Sequence, residues 1–438
     1  MLVRSDITKS DFDAGAFHRA VERQVEGCRQ RWWSASTDLP DLGDEVSWGR
    51  KRQNEARIDE FAASMEGELE QIPSEASERE RWSRGLREDV RRIMADVLAL
   101  SPTEQSLILS EDYFEATAEF TRRARAFDPN LRLGDLSQAL RNVWIMHLFQ
   151  RFLDRPVVCT DSIVAYSLLY PYTDNLLDDP QLSREAKGRF NRWLSRRLAG
   201  EEVAPENDHA AAIDRLVGLI EGEYSRTTHP EVFESLLAIH RAQGHSLDQH
   251  ARKPRSPYEV DLLGISLCKG GTSVLADGWL VAGKLTPEEE EFCFAFGAFL
   301  QLADDLQDLR HDLRANHQTL FSHSARHSFL DALANRLVHF LDGVFAAPRF
   351  SAARFDPLKS LVRRSCLQLV FQSVGFHRGY FRTRYLNRLE KHSVVRFATL
   401  RKKTRTFLER YRHLDDRISS ETSFASLLDT FAPTASPV

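Results

Sequence analysis

The most constraining feature of the chain is an apolar stretch that begins after Thr286 and ends in a cluster of aspartates. Thr286 and Glu289 have the spacing of a capping box, and Pro287 occupies the first helical position, so a helix is predicted to begin here. Apolar side chains then recur at helical spacing, at Phe292, Phe296, Phe299 and Leu302. The pattern predicts a long helix whose body is buried and whose far end carries charge.

Three carboxylates mark that far end, at Asp304, Asp305 and Asp308. Asp304 and Asp308 are one helical turn apart and about 40° from each other around the axis, and Asp305 borders the same face. Neighbouring carboxylates repel one another, which folding tolerates if they face water or if a cation binds between them. Oxygen ligands in this arrangement suit Mg²⁺, and a solvated acidic face is the ordinary alternative.

A second aspartate cluster follows another apolar run, at residues 162–170. Asp174 and Asp178 have the same four-residue spacing, Asp179 is adjacent, and Pro180 ends the helical pattern. Two apolar helices that each present an aspartate pair would form a carboxylate-lined mouth above an apolar interior. Such a cavity fits a molecule with a diphosphate head and a hydrocarbon tail.

The order and spacing of these motifs resemble the class I isoprenoid synthase superfamily, which includes trans-prenyl diphosphate synthases, squalene and phytoene synthases and terpene cyclases. Residues 304–308 match its second aspartate-rich motif, DDxxD, and residues 174–179 resemble the first in a DxxxD form. Residues 244–248 resemble the GQxxD segment, with His245 in place of glutamine. The resemblance covers residues 135–400.

The resemblance implies an all-α fold, with an isoprenoid synthase-type helical bundle around a deep central cavity. It implies two or three Mg²⁺ ions as cofactors, and their expected ligands are Asp174, Asp178, Asp179, Asp304, Asp305 and Asp308. It also implies catalytic roles for Asp174, Asp178, Asp304, Asp308 and Lys269. Lys269 lies where the prenyl synthases have a diphosphate-binding lysine.

The residues expected to bind the substrate are Arg141, Asp248, Lys269, Arg378, Arg382, Arg384 and Tyr385. Arg141 has apolar neighbours, so contact with a diphosphate and an ion pair with a carboxylate are equally good interpretations. Arg378, Arg382 and Tyr385 have the spacing of one helix face. The resemblance places Arg and Tyr of that region against the leaving diphosphate, and the alternative is a basic, solvated helix.

The implied reaction is the ionisation of an allylic prenyl diphosphate. Chain-elongating relatives carry a basic GKxxR-type segment before the first motif, whereas residues 132–136 here are RLGDL. This difference favours a terpene synthase over a prenyltransferase of the chain-elongating or head-to-head type. The alternative of another class is a non-enzymatic helical scaffold, or a nucleic-acid binder that uses the basic segment 378–405.

Composition bears on the partners and the compartment. The formal net charge of −5 argues against a dedicated nucleic-acid binder. Five scattered cysteines without a CxxC pair indicate neither a disulfide framework nor a zinc site, and the first residues lack the apolar segment of a signal peptide. We therefore expect a cytoplasmic protein without a transmembrane segment; the resemblance also allows a peripheral membrane contact and a homodimer.

Three regions are predicted along the chain. Residues 1–100 form an N-terminal helical extension, because they contain charged amphipathic patterns that would pack on the main body. Residues 101–415 form the isoprenoid synthase-like helical domain, and residues 416–438 form a C-terminal tail. Within the domain, Gly270 and Gly271 interrupt a helical pattern beside Lys269, which predicts a break or kink over the cavity.

Overall fold

All the regular structure of the described residues is helical, which confirms the all-α prediction. The computed structural model describes residues 13–70, 73, 75–178, 182–250, 260–400 and 402. Their α-helices are α1 (Ala14–Ser34), α2 (Trp48–Glu70), α3 (Ala76–Asp96), α4 (Pro102–Ile108), α5 (Glu111–Phe127), α6 (Leu133–Phe152), α7 (Asp161–Asp178), α8 (Arg184–Leu198), α9 (Asp208–Glu223), α10 (Pro230–Ser246), α11 (Leu262–Ala282), α12 (Pro287–Gln307), α13 (Leu309–Ala315), α14 (Leu320–Ser324), α15 (Asp331–Phe345), α16 (Asp356–Phe376) and α17 (Thr383–His392).

Short 3₁₀ turns are found at Leu247–His250, Pro348–Ser351, Ala353–Phe355 and Arg378–Tyr380. Among the helices described, none has both the length and the apolar character needed to cross a lipid bilayer. The predicted tail at residues 416–438 lies outside the described residues.

The helix α12 begins where the sequence predicts. The Thr286 hydroxyl accepts a hydrogen bond from the Glu289 backbone N–H at 3.3 Å, and the Glu289 carboxylate accepts one from the Thr286 N–H at 2.8 Å. Pro287 is the first helical residue, and Asp308 is the C-cap. The second aspartate motif therefore occupies the last turn of α12 and its C-terminal cap.

The helices α11 and α12 lie in backbone contact through two glycines. A Cβ atom on Gly270 would lie 2.3 Å from the Gly297 carbonyl oxygen, and one on Gly297 would lie 2.2 Å from the Gly270 carbonyl oxygen. Only residues without a Cβ allow two helices to approach this closely. The predicted break at Gly270 and Gly271 is absent, because α11 is one continuous helix and these glycines serve close packing instead.

The other helices pack around this pair. The helices α1, α6, α7 and α10 contact α11, and α15 and α16 contact α12. Phenylalanine rings fill the space between α6, α12 and the following segments; the centroids of Phe292 and Phe350 are 4.4 Å apart. The N-terminal helix α1 belongs to the same core, with Phe17 and Trp32 buried, and Arg29 of α1 donates to Asp261 at 2.9 Å.

The segment after α16 differs from the prediction. Arg378, Arg382 and Tyr385 do not share a helix face, because Arg378 lies in a 3₁₀ turn and Arg382 caps α17 from outside. Phe381 between them is extended, with φ −129° and ψ 147°, and its ring is buried. The chain turns at this point and places the Phe381 ring in the core. The same turn separates Arg378 from Arg382.

The glycine contact leads to a stability prediction. We expect Gly297→Ala to lower the free energy of unfolding by about 1–3 kcal/mol, because the new methyl group would collide with the α11 backbone. Gly218→Ala in α9 is the matched control, since nothing lies within 4 Å of its Cβ position, and it should raise stability by about 0.5–1 kcal/mol. Urea unfolding followed by circular dichroism measures both; equal effects of the two changes would contradict the packing role.

Candidate active site

A cavity of about 710 Å³ lies between α6, α7, α8, α10, α11 and α12, with a contribution from α16. Its volume is within the range of roughly 300–1,000 Å³ that is typical of small-molecule sites. Much of its wall is aliphatic, with side chains from all seven of these helices: Ile145, Leu169, Leu194, Leu198, Leu236, Ile239, Val274, Leu300 and Leu369. A cavity with such a wall favours a ligand with a substantial hydrocarbon part.

One region of the cavity is charged. Arg141 of α6, Lys269 of α11, and Asp304 and Asp308 at the end of α12 all line it. The four are close enough to interact, because the charges of Asp308, Lys269 and Arg141 all affect the pKa of Asp304. Four of the residues selected from the sequence therefore meet here, although they come from three different helices.

Hydrogen bonds to backbone groups fix the C-terminal turn of α12, which carries Asp304 and Asp308. The Asp308 N–H donates to the Asp304 carbonyl oxygen at 2.8 Å, so the two residues belong to one helical turn. The Gln307 carbonyl accepts a hydrogen bond at 2.8 Å from Nε2 of His377, which is buried at the end of α16. The C-terminal end of α12 is thus fixed from two sides.

The carboxylates have raised pKa values. Burial raises the pKa of Asp304 to about 6 and the charge of Asp308 adds to this, while Lys269 and Arg141 offset part of the shift. Burial also raises the pKa of Asp308, followed by the charge of Asp312. Asp304 is open to the cavity yet enclosed by protein on most sides, which is why a solvent-accessible carboxylate is so strongly affected. Such a pair attracts further positive charge.

Asp305 lies outside the cavity. Its two carboxylate oxygens accept hydrogen bonds from the Ser266 hydroxyl at 2.7 Å and from the Gln301 amide at 2.9 Å. Its side chain is 4% exposed and lies between α11 and α12. The structure gives Asp305 a packing role between these helices, whereas the motif predicted a metal ligand at this position.

The first motif is only partly described. The helix α7 extends to Asp178, and Thr173 lines the cavity, so the residue before Asp174 is at its wall. The side chains of Asp174, Asp178 and Asp248 lie outside the described part of the structure, as does all of Asp179. Their roles stay predictions.

The C-terminal residues selected from the sequence are Arg378, Arg382, Arg384 and Tyr385, and none of them is part of the described cavity wall. Arg382 pairs with Asp331 at 2.9 Å. The Tyr385 hydroxyl is buried and donates to Asn335 at 2.9 Å. Arg378 and Arg384 are exposed. The two described contacts are structural, and they join α17 to α15.

Asp277, which no sequence motif selected, lines the cavity together with Asn142. The signal was present, because Asp277 is the one acidic residue within the apolar helix α11. Polar side chains from several helices complete this wall: Gln138, His240, Gln243, Ser273 and Gln301. None of these residues belongs to a recognisable motif in the sequence. Only the packing of the helices shows that they line one cavity.

The carboxylates suit a cation but do not complete a site by themselves. Among the described side chains, no three of His, Cys, Asp or Glu converge as a metal-binding group. Asp304 and Asp308 are the two aspartates at the end of α12 that line the cavity. Mg²⁺ commonly binds to one or two carboxylates and takes its other ligands from water and substrate phosphates.

Comparisons with family models, curated proteins and solved structures found no match to this chain. The cavity and the residues that line it are therefore the features that indicate a function.

The raised pKa of Asp304 leads to a prediction for the metal-free protein. Since the folded-state value is about 6 and the ordinary value is 3.8, the stability that this group contributes is present below pH 3.8 and is lost as the pH rises through 6. Relative to the parent protein, Asp304→Asn should therefore gain stability between pH 4 and pH 8, by about 1 kcal/mol after allowance for solvent screening. Thermal unfolding of both proteins across this range measures the difference; a pH-independent difference would contradict it.

Proposed function

We propose that the protein is a Mg²⁺-dependent class I terpene synthase, which ionises an allylic prenyl diphosphate and releases diphosphate to give a terpene. One observation carries the proposal: two carboxylates and two cationic side chains line the same cavity as a large aliphatic surface. The four charged residues are Arg141, Lys269, Asp304 and Asp308.

The two parts of the cavity correspond to the two parts of such a substrate. The aliphatic wall accommodates the hydrocarbon chain, and its burial favours binding by roughly 25 cal/mol per Å² of apolar surface. The charged region accommodates the diphosphate. Lys269 and Arg141 supply positive charge, and Arg141 offers a planar set of donors that suits phosphate oxygens.

The carboxylates provide the metal site in this proposal. Asp304 and Asp308 would hold Mg²⁺ from the α12 side, and Asp174, Asp178 and Asp179 are the candidate ligands from the α7 side. Bound Mg²⁺ supplies Lewis-acid stabilisation of the negative charge on the leaving diphosphate. The raised pKa values of Asp304 and Asp308 fit this role. A cation between the two carboxylates would offset both the cost of burying their charge and their mutual repulsion.

The side chains of the cavity have separate tasks in the reaction. Lys269 and Arg141 stabilise the charge that develops on the diphosphate as the carbon–oxygen bond breaks. The aliphatic wall keeps bulk water from the carbocation. Tyr166 lines the cavity and donates through its hydroxyl to the Ser273 carbonyl at 3.3 Å, which holds the ring in the wall, where it offers cation–π stabilisation.

The decisive experiment uses geranyl, farnesyl and geranylgeranyl diphosphates with Mg²⁺, with and without isopentenyl diphosphate. We expect diphosphate release and hydrocarbon or alcohol products without isopentenyl diphosphate. A lengthened prenyl diphosphate that forms only when isopentenyl diphosphate is present would show a prenyltransferase instead. Absence of turnover with all these substrates would contradict the proposal.

The α12 carboxylates should be essential. Asp304→Asn together with Asp308→Asn should reduce diphosphate release by on the order of 100-fold or more, because the charge that holds the metal is removed. Circular dichroism should show an intact fold. Asp305→Asn is the matched comparison on the same turn, and its activity per folded molecule should fall far less, because Asp305 is bonded to Ser266 and Gln301 outside the cavity. Equal losses would contradict this assignment.

Lys269 should matter for diphosphate binding more than for folding. Lys269→Met keeps most of the apolar stem and removes the charge, so it should abolish most of the thermal stabilisation by Mg²⁺ plus pyrophosphate and leave the melting temperature of the ligand-free protein nearly unchanged. Lys284→Met is the control, since Lys284 is an exposed residue beyond the far end of α11. A large loss of ligand-free stability, with the pyrophosphate response retained, would show a structural role for Lys269.

A further inference from the structure

A buried carboxyl group lies in the cavity wall away from the charged region. Asp277 lines the cavity and is 1% exposed. It is eight residues after Lys269 on α11, which places it about 12 Å further along the helix axis. The proposed diphosphate site therefore does not account for Asp277.

The hydrogen bonding of Asp277 is incomplete. Its Oδ1 accepts from the Asn142 amide at 3.3 Å, and Asn142 also donates to the Ser167 hydroxyl at 3.2 Å. Its Oδ2 is buried and has no hydrogen-bond partner among the described residues. A buried polar atom without a partner is costly, and in proteins such atoms usually bind water or a ligand.

The protonation state indicates what Oδ2 can bind. Burial raises the pKa of Asp277 well above its ordinary range, and the hydrogen bond from Asn142 offsets part of that shift. Burial therefore favours the neutral carboxyl group, which has one O–H to donate. A neutral carboxylic acid in an apolar cavity is a hydrogen-bond donor, and the natural acceptor is an oxygen atom.

We propose that Asp277 binds a water molecule inside the cavity and presents it to the carbocation, so that the enzyme produces a terpene alcohol. The inference rests on the proposed function. The Asp277 carboxyl donates to one lone pair of the water oxygen, and Asn142 and Ser273 add polar groups to the same cavity wall. A buried water needs two to four polar partners, and these three residues can supply them.

The chemistry balances without a further reactant. The second lone pair of the water oxygen attacks the carbocation, and a carbon–oxygen bond forms. One O–H bond of the added water then breaks, and the proton is relayed through water in the cavity to the diphosphate that ionisation released. Asp277 keeps its own proton throughout, so it positions the nucleophile and is neither oxidised nor consumed.

The test is turnover of the full chain in H₂¹⁸O with Mg²⁺ and whichever of geranyl, farnesyl or geranylgeranyl diphosphate it accepts. We expect an alcohol that carries ¹⁸O. Asp277→Leu should reduce the alcohol fraction at least tenfold in favour of hydrocarbon, while diphosphate release stays within about threefold. Asp277→Asn should retain alcohol, because the amide N–H still donates a hydrogen bond to water.

Thr272→Val is the matched control. Thr272 is equally buried on the same helix, but its hydroxyl donates to the Cys268 carbonyl at 2.7 Å, so the product ratio should not change. Hydrocarbon-only products or unlabelled alcohol from the parent enzyme would overturn the proposal, and so would an unchanged product ratio in Asp277→Leu.

A crystal structure of the parent protein separates this inference from the proposed function and covers the case in which Asp277→Leu does not fold. We expect an ordered water within hydrogen-bond distance of Oδ2. A dry Oδ2 would overturn the inference even if diphosphate release is observed. Lack of turnover with an ordered water present would count against the terpene synthase proposal and leave the water site supported.

Discussion

The backbone contact between Gly270 and Gly297 sets the register of the two helices on which the site depends. The helices α11 and α12 are antiparallel. Two turns beyond Gly297 on α12, Asp305 accepts a hydrogen bond from Ser266, which lies one turn before Gly270 on α11. With that register, Lys269 lies where its charge affects Asp304. A bulkier residue at either glycine would separate the helices, and the charged groups would no longer be held against each other.

The site is built at the expense of stability in its ligand-free form. Asp304 and Asp308 are close together in a region where burial disfavours their charged forms, and Asp277 keeps an unpartnered oxygen in an apolar wall. At the buried position of Asp277, packing alone would favour an apolar side chain. These three residues destabilise the ligand-free protein, and a bound cation or polar ligand would offset that cost. This shared property is the reason to assign all three to a functional site.

The C-terminal helices support the site from behind in the part of the chain that is described. His377 binds the last turn of α12, and Leu369 of α16 contributes to the cavity wall. The exposed and paired arginines around α17 are not in that wall, so Arg141 and Lys269 carry its positive charge. Arg382 and Tyr385 are held by hydrogen bonds to Asp331 and Asn335. These bonds would have to break before either side chain could reach a ligand in the cavity.

The sequence alone determined the features that depend on nearby residues. The start of α12 at Thr286 and the placement of Asp304 and Asp308 on one turn follow from local spacing and capping, which act within a few residues. The tertiary structure decided what local spacing leaves open: Asp305 turns into the α11–α12 contact, Tyr385 binds Asn335, and Asp277 reaches the cavity. The physical reason is that neighbouring residues on a helix face different partners, and which partner each one meets depends on the packing of helices that are distant in the chain.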